Sequence, residues 1–277
     1  MTKTVTIGTS EVDKVVVGPG EGLFLVAGPC VIESKDLCFT VAEHLKELTG
    51  KLKIGFVFKA SFDKANRTSA ESFRGPGIQE GLRILDQVRR EFAVPVVSDI
   101  HLPEQASICA EVLDVLQIPA FLCRQTDLVE AAARCQKCVQ VKKAQFMAPW
   151  DMKNVISKIT DQGNQQIILV ERGSSFGYNR LICDMCAITQ MQQLGYPVII
   201  DATHSTQQPG GLGTSSGGSA RLAHILARSA VAAGADGMFI ETHPDPKKAL
   251  SDGACMVPLD QLEGLLSCCR KIYACCR

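Results

Sequence analysis

The feature that most constrains this chain is a repeated switch in hydrophobic periodicity. Short β-branched runs cover 23–27, 54–59, 94–99, 112–117, 139–142, 166–171, 197–201 and 237–241. Between and after them, apolar residues recur at helical spacing over 36–48, 78–92, 103–110, 126–134, 150–161, 181–194, 219–233 and 259–272. A strand cannot return parallel to its predecessor without a crossover, so this alternation predicts parallel strands joined by helices. Eight such units in 277 residues suit a closed (β/α)8 barrel, which typically needs about 250. Ahead of them, residues 4–8 and 13–17 alternate like paired strands and predict a β-hairpin within about the first 20 residues. The predicted fold is therefore α/β, a (β/α)8 TIM barrel with an N-terminal β-hairpin, forming one domain over 1–277. An open doubly wound sheet is the competing arrangement.

Composition narrows the function. The 29 basic and 29 acidic residues cancel, which excludes the broad basic surface of a nucleic-acid binder but not a local anion pocket. No apolar run reaches the roughly 18 residues a membrane span needs, and the N-terminus lacks the apolar core of a signal peptide. A cytoplasmic protein without nucleic-acid or membrane partners is expected. Its 13 cysteines are then expected to be thiols or metal ligands, not disulfides. The Gly/Ser-rich stretch 208–218 lies between a strand and a helix and reads as a functional loop.

Barrel enzymes place their chemistry at the C-terminal ends of the strands. Here those ends read Gly28-Pro29-Cys30, Lys59, Asp99-Ile100-His101, Gln117, Lys142-Lys143, Glu171-Arg172, Asp201-Ala202-Thr203-His204 and Glu241-Thr242-His243. The strand starts are mostly apolar or turn residues. One polar strand end is an ordinary solvated end; eight together favour the barrel and a site at one mouth.

Two subsets carry chemistry. Lys59, Lys64, Arg67, Lys142 and Arg172 are cations that could hold phosphate or carboxylate, Arg by bidentate contacts and Lys as a point charge. Read alone, the 59–69 segment could equally be an exposed charged loop. Cys30, His204, Glu241 and Asp252 fall near the ends of strands one, seven and eight, which become neighbours where a barrel closes. A thiolate, an imidazole and two carboxylates suit a borderline divalent ion such as Zn2+, Fe2+ or Mn2+. The ligands are scattered in sequence, so composition alone leaves the metal open. The pairs Cys135/Cys138 and Cys183/Cys186 have zinc-ribbon spacing, but a barrel would put them at opposite ends, and they read as incidental thiols. Cys268, Cys269, Cys275 and Cys276 read as packing or surface residues, and Trp150 as structural. His101 and His243 are ligand or pocket-wall candidates.

The stretches AGPCVIES (27–34), FKASFDKANRTS (58–69), RGPG (74–77), PAFLCRQTDLV (119–129), VKKAQFMAPWDMKN (141–154), ERGSSFGYN (171–179), DATHSTQQPGG (201–211), ETHPDP (241–246) and SDGACMVPL (251–259) resemble the 3-deoxy-D-manno-octulosonate 8-phosphate synthases along nearly the whole chain. The resemblance implies an aldol-type condensation of phosphoenolpyruvate with D-arabinose 5-phosphate and water, releasing phosphate and supplying a lipopolysaccharide precursor. It implies that Lys59, Lys64, Lys142 and Arg172, with Gln117 beside them, hold phosphoenolpyruvate. Asn66, Arg67 and Thr68 would face the pentose phosphate and Asp99 the sugar. Arg124 would reach the sugar phosphate in a neighbouring subunit of a homotetramer. Lys59, Asn66, Asp99, Lys142 and His204 would stand at the reacting atoms. Cys30, where the metal-independent members carry Asn, implies the metal-dependent class, with Cys30, His204, Glu241 and Asp252 binding one ion of Fe2+, Zn2+ or Mn2+. The chain departs from the family at Ser219-Ala220 before Arg221, and at Cys255, where Asn is frequent. Other readings are the related heptulosonate 7-phosphate synthase, a lysine Schiff-base aldolase using Lys59 or Lys142, and a non-catalytic metal- or anion-binding barrel.

Overall fold

In a computed structural model, residues 2–67, 69, 71–211 and 217–276 are described. The N-terminal hairpin is β1 (Val5–Ile7) and β2 (Val15–Val17), antiparallel with Val5 opposite Val17. The barrel strands are β3 (Phe24–Gly28), β4 (Gly55–Lys59), β5 (Val96–Asp99), β6 (Val115–Ile118), β7 (Cys138–Lys142) and β8 (Ile167–Glu171). After a small antiparallel pair, β9 (Ser174–Ser175) and β10 (Leu181–Ile182), come β11 (Val198–Asp201) and β12 (Gly237–His243). The barrel strands pair in parallel, in chain order. β12 then closes on β3, with Gly237 beside Phe24 and Glu241 beside Gly28. That closing ladder decides for the barrel over the open sheet. A short β13 (Val257–Pro258) lies parallel to the end of β12. The helices are α1 (Lys35–Leu52), α2 (Ile78–Phe92), α3 (Pro103–Ala110), α4 (Thr126–Arg134), α5 (Met152–Thr160), α6 (Cys186–Gln192), α7 (Ala220–Ala232) and α8 (Leu262–Cys276). Among the described residues no helix is long and apolar enough to cross a membrane.

The period-2 alternation of the strands divides the core in two. Leu25 and Ala27 of β3 and Met238 and Ile240 of β12 face outward and pack with the helices. Phe24, Val26, Val57, Val97, Val115, Ile168, Ile199 and Phe239 point inward, where Val5, Ile7, Val15 and Val17 of the hairpin join them. The hairpin therefore seals the N-terminal end of the barrel with apolar side chains. The opposite mouth is left for polar ones.

The expected helix over 181–194 is shorter than its periodicity suggested. Gly173, Gly177 and Asn179 adopt left-handed φ values of 87°, 74° and 52°. They turn the chain so that Leu181 and Ile182 pair with Ser175 and Ser174. Asp184 Oδ1 then accepts from Cys186 N at 2.9 Å, and the helix begins at Cys186, four residues after the pair. Of the Gly/Ser-rich loop, residues 212–216 lie outside the described residues.

Candidate active site

The polar strand ends converge on one mouth of the barrel. Gly28 permits this locally: a Cβ there would stand 2.0 Å from the Lys59 carbonyl oxygen, so only glycine lets β3 and β4 approach as they do. Lys59, at the end of β4 and 1% exposed, meets Glu241 Oε1 at 2.6 Å and also donates to the Cys30 carbonyl at 2.8 Å. Lys142, at the end of β7, meets Asp201 Oδ2 at 2.6 Å. Both ammonium groups lie over the Phe239 ring, at 5.5 and 3.8 Å from its centre. Charges this buried are tolerable only when paired, which these are.

Asp201 is the hub of the next layer. Its Oδ1 accepts from His204 N at 2.9 Å and Thr203 Oγ1 at 3.2 Å. His204 Nδ1 lies 2.7 Å from Oδ2. Burial alone would raise the Asp201 carboxyl, but His204 and Lys142 hold it well below its ordinary value. With Nδ1 turned to Asp201, His204 Nε2 points at Glu241 Oε2, 3.4 Å away.

Four side chains meet there as the sequence suggested. One ligand atom from each of Cys30, His204, Glu241 and Asp252 lies within 4.8 Å of every other. Strands β3, β11 and β12 adjoin at the closure and carry three of them, while Asp252 comes from the loop after β12. Cys30 is fully buried; burial and Glu241 push its thiol well above the ordinary range. The neutral S–H lies 3.2 Å from Asp252 Oδ2 and 3.1 Å from Ser251 Oγ. Glu241 Oε2 is buried with no hydrogen-bond partner among the described residues. An unpaired buried carboxylate oxygen facing an imidazole nitrogen and a thiol fits a divalent cation. The Asp201 contact behind His204 is the kind of outer partner that orients a metal-binding imidazole.

Above this cluster opens a cavity of about 620 Å³. Lys64, Asn66, Arg67, Asp99, Gln117, Lys142, Arg172, His204 and Asp252 all line it. Lys59, Cys30 and Glu241 lie beneath its floor and are not part of the lining. Asp99 accepts from Ser61 Oγ at 2.9 Å and from Gln117 Nε2. Gln140 Nε2 in turn donates to Gln117 Oε1 at 2.6 Å. Burial would raise Asp99, yet Lys59, Lys64 and Lys142 hold it below its ordinary value. Burial would lower Lys64, while Cys30, Glu241 and Asp99 raise it well above its usual value. Burial draws the Arg172 guanidinium down, opposed by Asp201 and Glu171. Arg67 ties its loop to the loop bearing Asp252, donating to Ser251 Oγ at 2.6 Å and the Leu250 carbonyl at 2.9 Å.

Of the expected substrate-binding residues that are described, Lys59 and Arg124 do not line this cavity: Lys59 is buried beneath it in its pair with Glu241. Arg124 is exposed and stands off the cavity. Thr68 lies outside the described residues. Conversely, Gln145 and Gln207 line the cavity without having been singled out; both sit inside motifs, at 141–154 and 201–211, whose charged members drew attention first. Lys143 is structural: its buried ammonium donates to the Ala144 and Met147 carbonyls and Ser174 Oγ at 3.1–3.3 Å. His243 does not line the cavity; its Nδ1 accepts from Asp245 N at 2.9 Å and its Nε2 lies 3.8 Å from Glu33 Oε2. Cys138 belongs to the apolar interior beside the hairpin, whereas Cys183 lies 3.8 Å from Ser205 Oγ near the other end. The two CxxC pairs therefore share no centre. Cys255 is buried against Gly218, where a Cβ would fall 2.0 Å from its sulfur.

A closed parallel barrel with buried ion pairs and a cation-lined cavity at its C-terminal mouth is the architecture of the (β/α)8-barrel enzymes. A sequence model of the DAHP synthetase I family matches residues 4–274. The chain belongs to that family. It is 55% identical over 274 residues to a 2-dehydro-3-deoxyphosphooctonate aldolase of Geobacter sp. (strain M21), covering 99% of this chain and 98% of that protein. It is 54% identical over 258 residues to the protein of the same name in Syntrophotalea carbinolica, covering 93% of each. The similarity to that of Xanthomonas campestris pv. campestris (strain B100) is 55% over 258 residues, 93% of this chain and 94% of the other.

Proposed function

We propose that the protein condenses phosphoenolpyruvate with D-arabinose 5-phosphate and water to give 3-deoxy-D-manno-octulosonate 8-phosphate and inorganic phosphate. The observation that carries this reading is the cavity itself: Lys64, Arg67, Lys142 and Arg172 line one space above the Cys30–His204–Glu241–Asp252 cluster. Two phosphorylated substrates repel each other, and fixed cations offset that repulsion while orienting the reacting carbons. The near full-length similarity to 2-dehydro-3-deoxyphosphooctonate aldolases supports the substrate pair.

In this reaction C3 of phosphoenolpyruvate bonds to the aldehyde carbon of the sugar, whose oxygen takes up a proton. Water adds to C2, giving up a proton, and the C2–O bond to phosphate then breaks. Lys142 and Arg172, with Lys64, would bind the phosphate and carboxylate of phosphoenolpyruvate, and the buried Lys59 would hold the floor beneath them through Glu241. Gln117 would offer its second amide hydrogen, since the first is taken by Asp99. Asn66, Arg67 and Thr68 would bind the pentose phosphate, and Asp99 would accept from a sugar hydroxyl. His204, its Nδ1 turned to Asp201, would present Nε2 to the ion and so stand beside the reacting atoms. Cys30, His204, Glu241 and Asp252 would hold one divalent ion (Fe2+, Zn2+ or Mn2+), which when bound supplies Lewis acidity toward an oxygen atom.

Arg124 is exposed away from its own cavity, which suits a residue completing a neighbour's site. Phe121, Phe146, Trp150, Phe176 and Tyr178 are 58–99% exposed, aromatic surface that a neighbouring subunit would cover. Both features support self-association, which we assign to a homotetramer; the similarity to 2-dehydro-3-deoxyphosphooctonate aldolases supports a role in lipopolysaccharide precursor synthesis, which we place in the cytoplasm. The test is product identification: incubation with both substrates must yield the octulosonate phosphate and phosphate one to one. Borohydride must trap no adduct on Lys59 or Lys142, and a trapped adduct would replace this reading with a Schiff-base aldolase.

A further inference from the structure

One of the side chains through which the cations of the cavity touch the metal-type cluster is an amide that belongs to neither. Gln207 follows the turn His204–Thr206 beyond β11. Its Oε1 accepts from Arg172 Nη2 at 3.0 Å, and its Nε2 donates to Asp252 Oδ1 at 2.9 Å. A guanidinium only donates and a carboxylate only accepts, so the amide can face in one direction alone. The same Nη2 reaches the backbone carbonyl of His204 at 3.3 Å. One guanidinium thus holds two members of the cluster, His204 by its backbone and Asp252 through Gln207. Meanwhile Arg172 Nη1 is buried without a hydrogen-bond partner among the described residues. It is the donor left for an incoming anion.

We propose that Gln207 is a positioning residue that couples anion binding at Arg172 to divalent-ion binding at Asp252, so that each ligand tightens the other. The inference rests on the reading above of the cavity as an anion site and of the cluster as a metal site. An anion on Nη1 fixes the guanidinium plane and keeps Nη2 on Gln207 and His204. Gln207 then holds Asp252 by Oδ1 and leaves Oδ2 facing the Cys30 sulfur, 3.2 Å away. With no anion, ordering that relay falls to the ion alone, and its binding is weaker. Coupling of this kind is reciprocal by thermodynamic necessity. Plain Coulomb attraction between anion and ion adds to it but does not pass through Gln207.

The experiment uses the full chain stripped of metal, titrated with Mn2+ by calorimetry with and without saturating phosphoenolpyruvate. In the parent, phosphoenolpyruvate tightens Mn2+ by at least about fivefold, the low end of ordinary coupling, and Mn2+ tightens phosphoenolpyruvate by the same factor. Gln207→Met keeps the length of the side chain without its hydrogen bonds, and Gln207→Asn keeps the amide but cannot span both partners. In each variant the coupling factor falls at least about threefold toward one. A purely structural amide would weaken Mn2+ equally with and without phosphoenolpyruvate and leave the ratio alone. A ratio of one in the parent, or an unchanged ratio in both variants, overturns this inference while leaving the metal site standing. A parent that binds no Mn2+ overturns the metal reading and the inference with it.

Discussion

The Lys142 ammonium and the Asp201 carboxylate form a 2.6 Å ion pair across the barrel mouth, with Asp201 fully buried and Lys142 lining the cavity. The pair makes β7 and β11 deliver one cation to the cavity while its counter-charge also fixes His204. Asp201→Asn keeps the shape but removes the carboxylate charge that faces both Lys142 and His204. Breaking a buried pair leaves an uncompensated ion, so the variant should lose about 3–5 kcal/mol of stability in denaturant unfolding. A loss under about 1 kcal/mol, the usual range for exposed pairs, would show that the pair is effectively solvated.

Cys30→Asn tests the metal cluster. The amide is close in size but offers no thiolate. Changes to outer partners of a metal alone cost about 10–100-fold in affinity, so losing a ligand should cost more than about 100-fold. Equilibrium dialysis against Mn2+ or Zn2+ reads this directly. Undiminished binding would remove Cys30 from the ligand set.

Gly218 and Cys255 should behave as a coupled pair. Gly218→Ala drives a methyl group to 2.0 Å from the Cys255 sulfur, and overpacking of that kind costs about 1–3 kcal/mol. Cys255→Ala makes room, so the double variant should recover about 1 kcal/mol or more relative to the sum of the singles. Thermal unfolding of all four proteins closes the cycle, and simple additivity would rule the contact out as the cause.

The thiols should separate by burial. Cys186, Cys275 and Cys276 are exposed, whereas burial pushes Cys109, Cys183 and Cys269 up to about 12. A thiol at that value is about 10⁻⁴ thiolate at pH 8, and only the thiolate reacts. Its reactive fraction rises with pH, about tenfold per unit, and stays small below pH 10. Iodoacetamide with peptide mapping should therefore label the exposed three first. Early modification of Cys109 or Cys269 in the folded protein would contradict the packing around them.

Much of this was legible in the sequence because the signals were local. The strand periodicity and the polar residue ending each strand defined the barrel and its working mouth. The closure that joins Cys30 to His204 and Glu241 follows from strand order alone. Other features depend on three-dimensional neighbours that spacing does not encode. Gln207 looks like any polar loop residue until Arg172 and Asp252 are seen on either side of it. Leu181 and Ile182 carry a helix-compatible pattern, but left-handed turns at Gly173, Gly177 and Asn179 redirect them into a strand pair. Gly218 reads as one more loop glycine, and only the fold brings the Cys255 sulfur against it.

The most direct test of the central claim is phosphate release from phosphoenolpyruvate, measured with arabinose 5-phosphate and with erythrose 4-phosphate, before and after exhaustive chelation. The account predicts release with arabinose 5-phosphate in clear preference to erythrose 4-phosphate. It also predicts loss of that activity on chelation and its return with Fe2+, Mn2+ or Zn2+. A full rate in protein shown to be free of metal, or a preference for erythrose 4-phosphate, would contradict it.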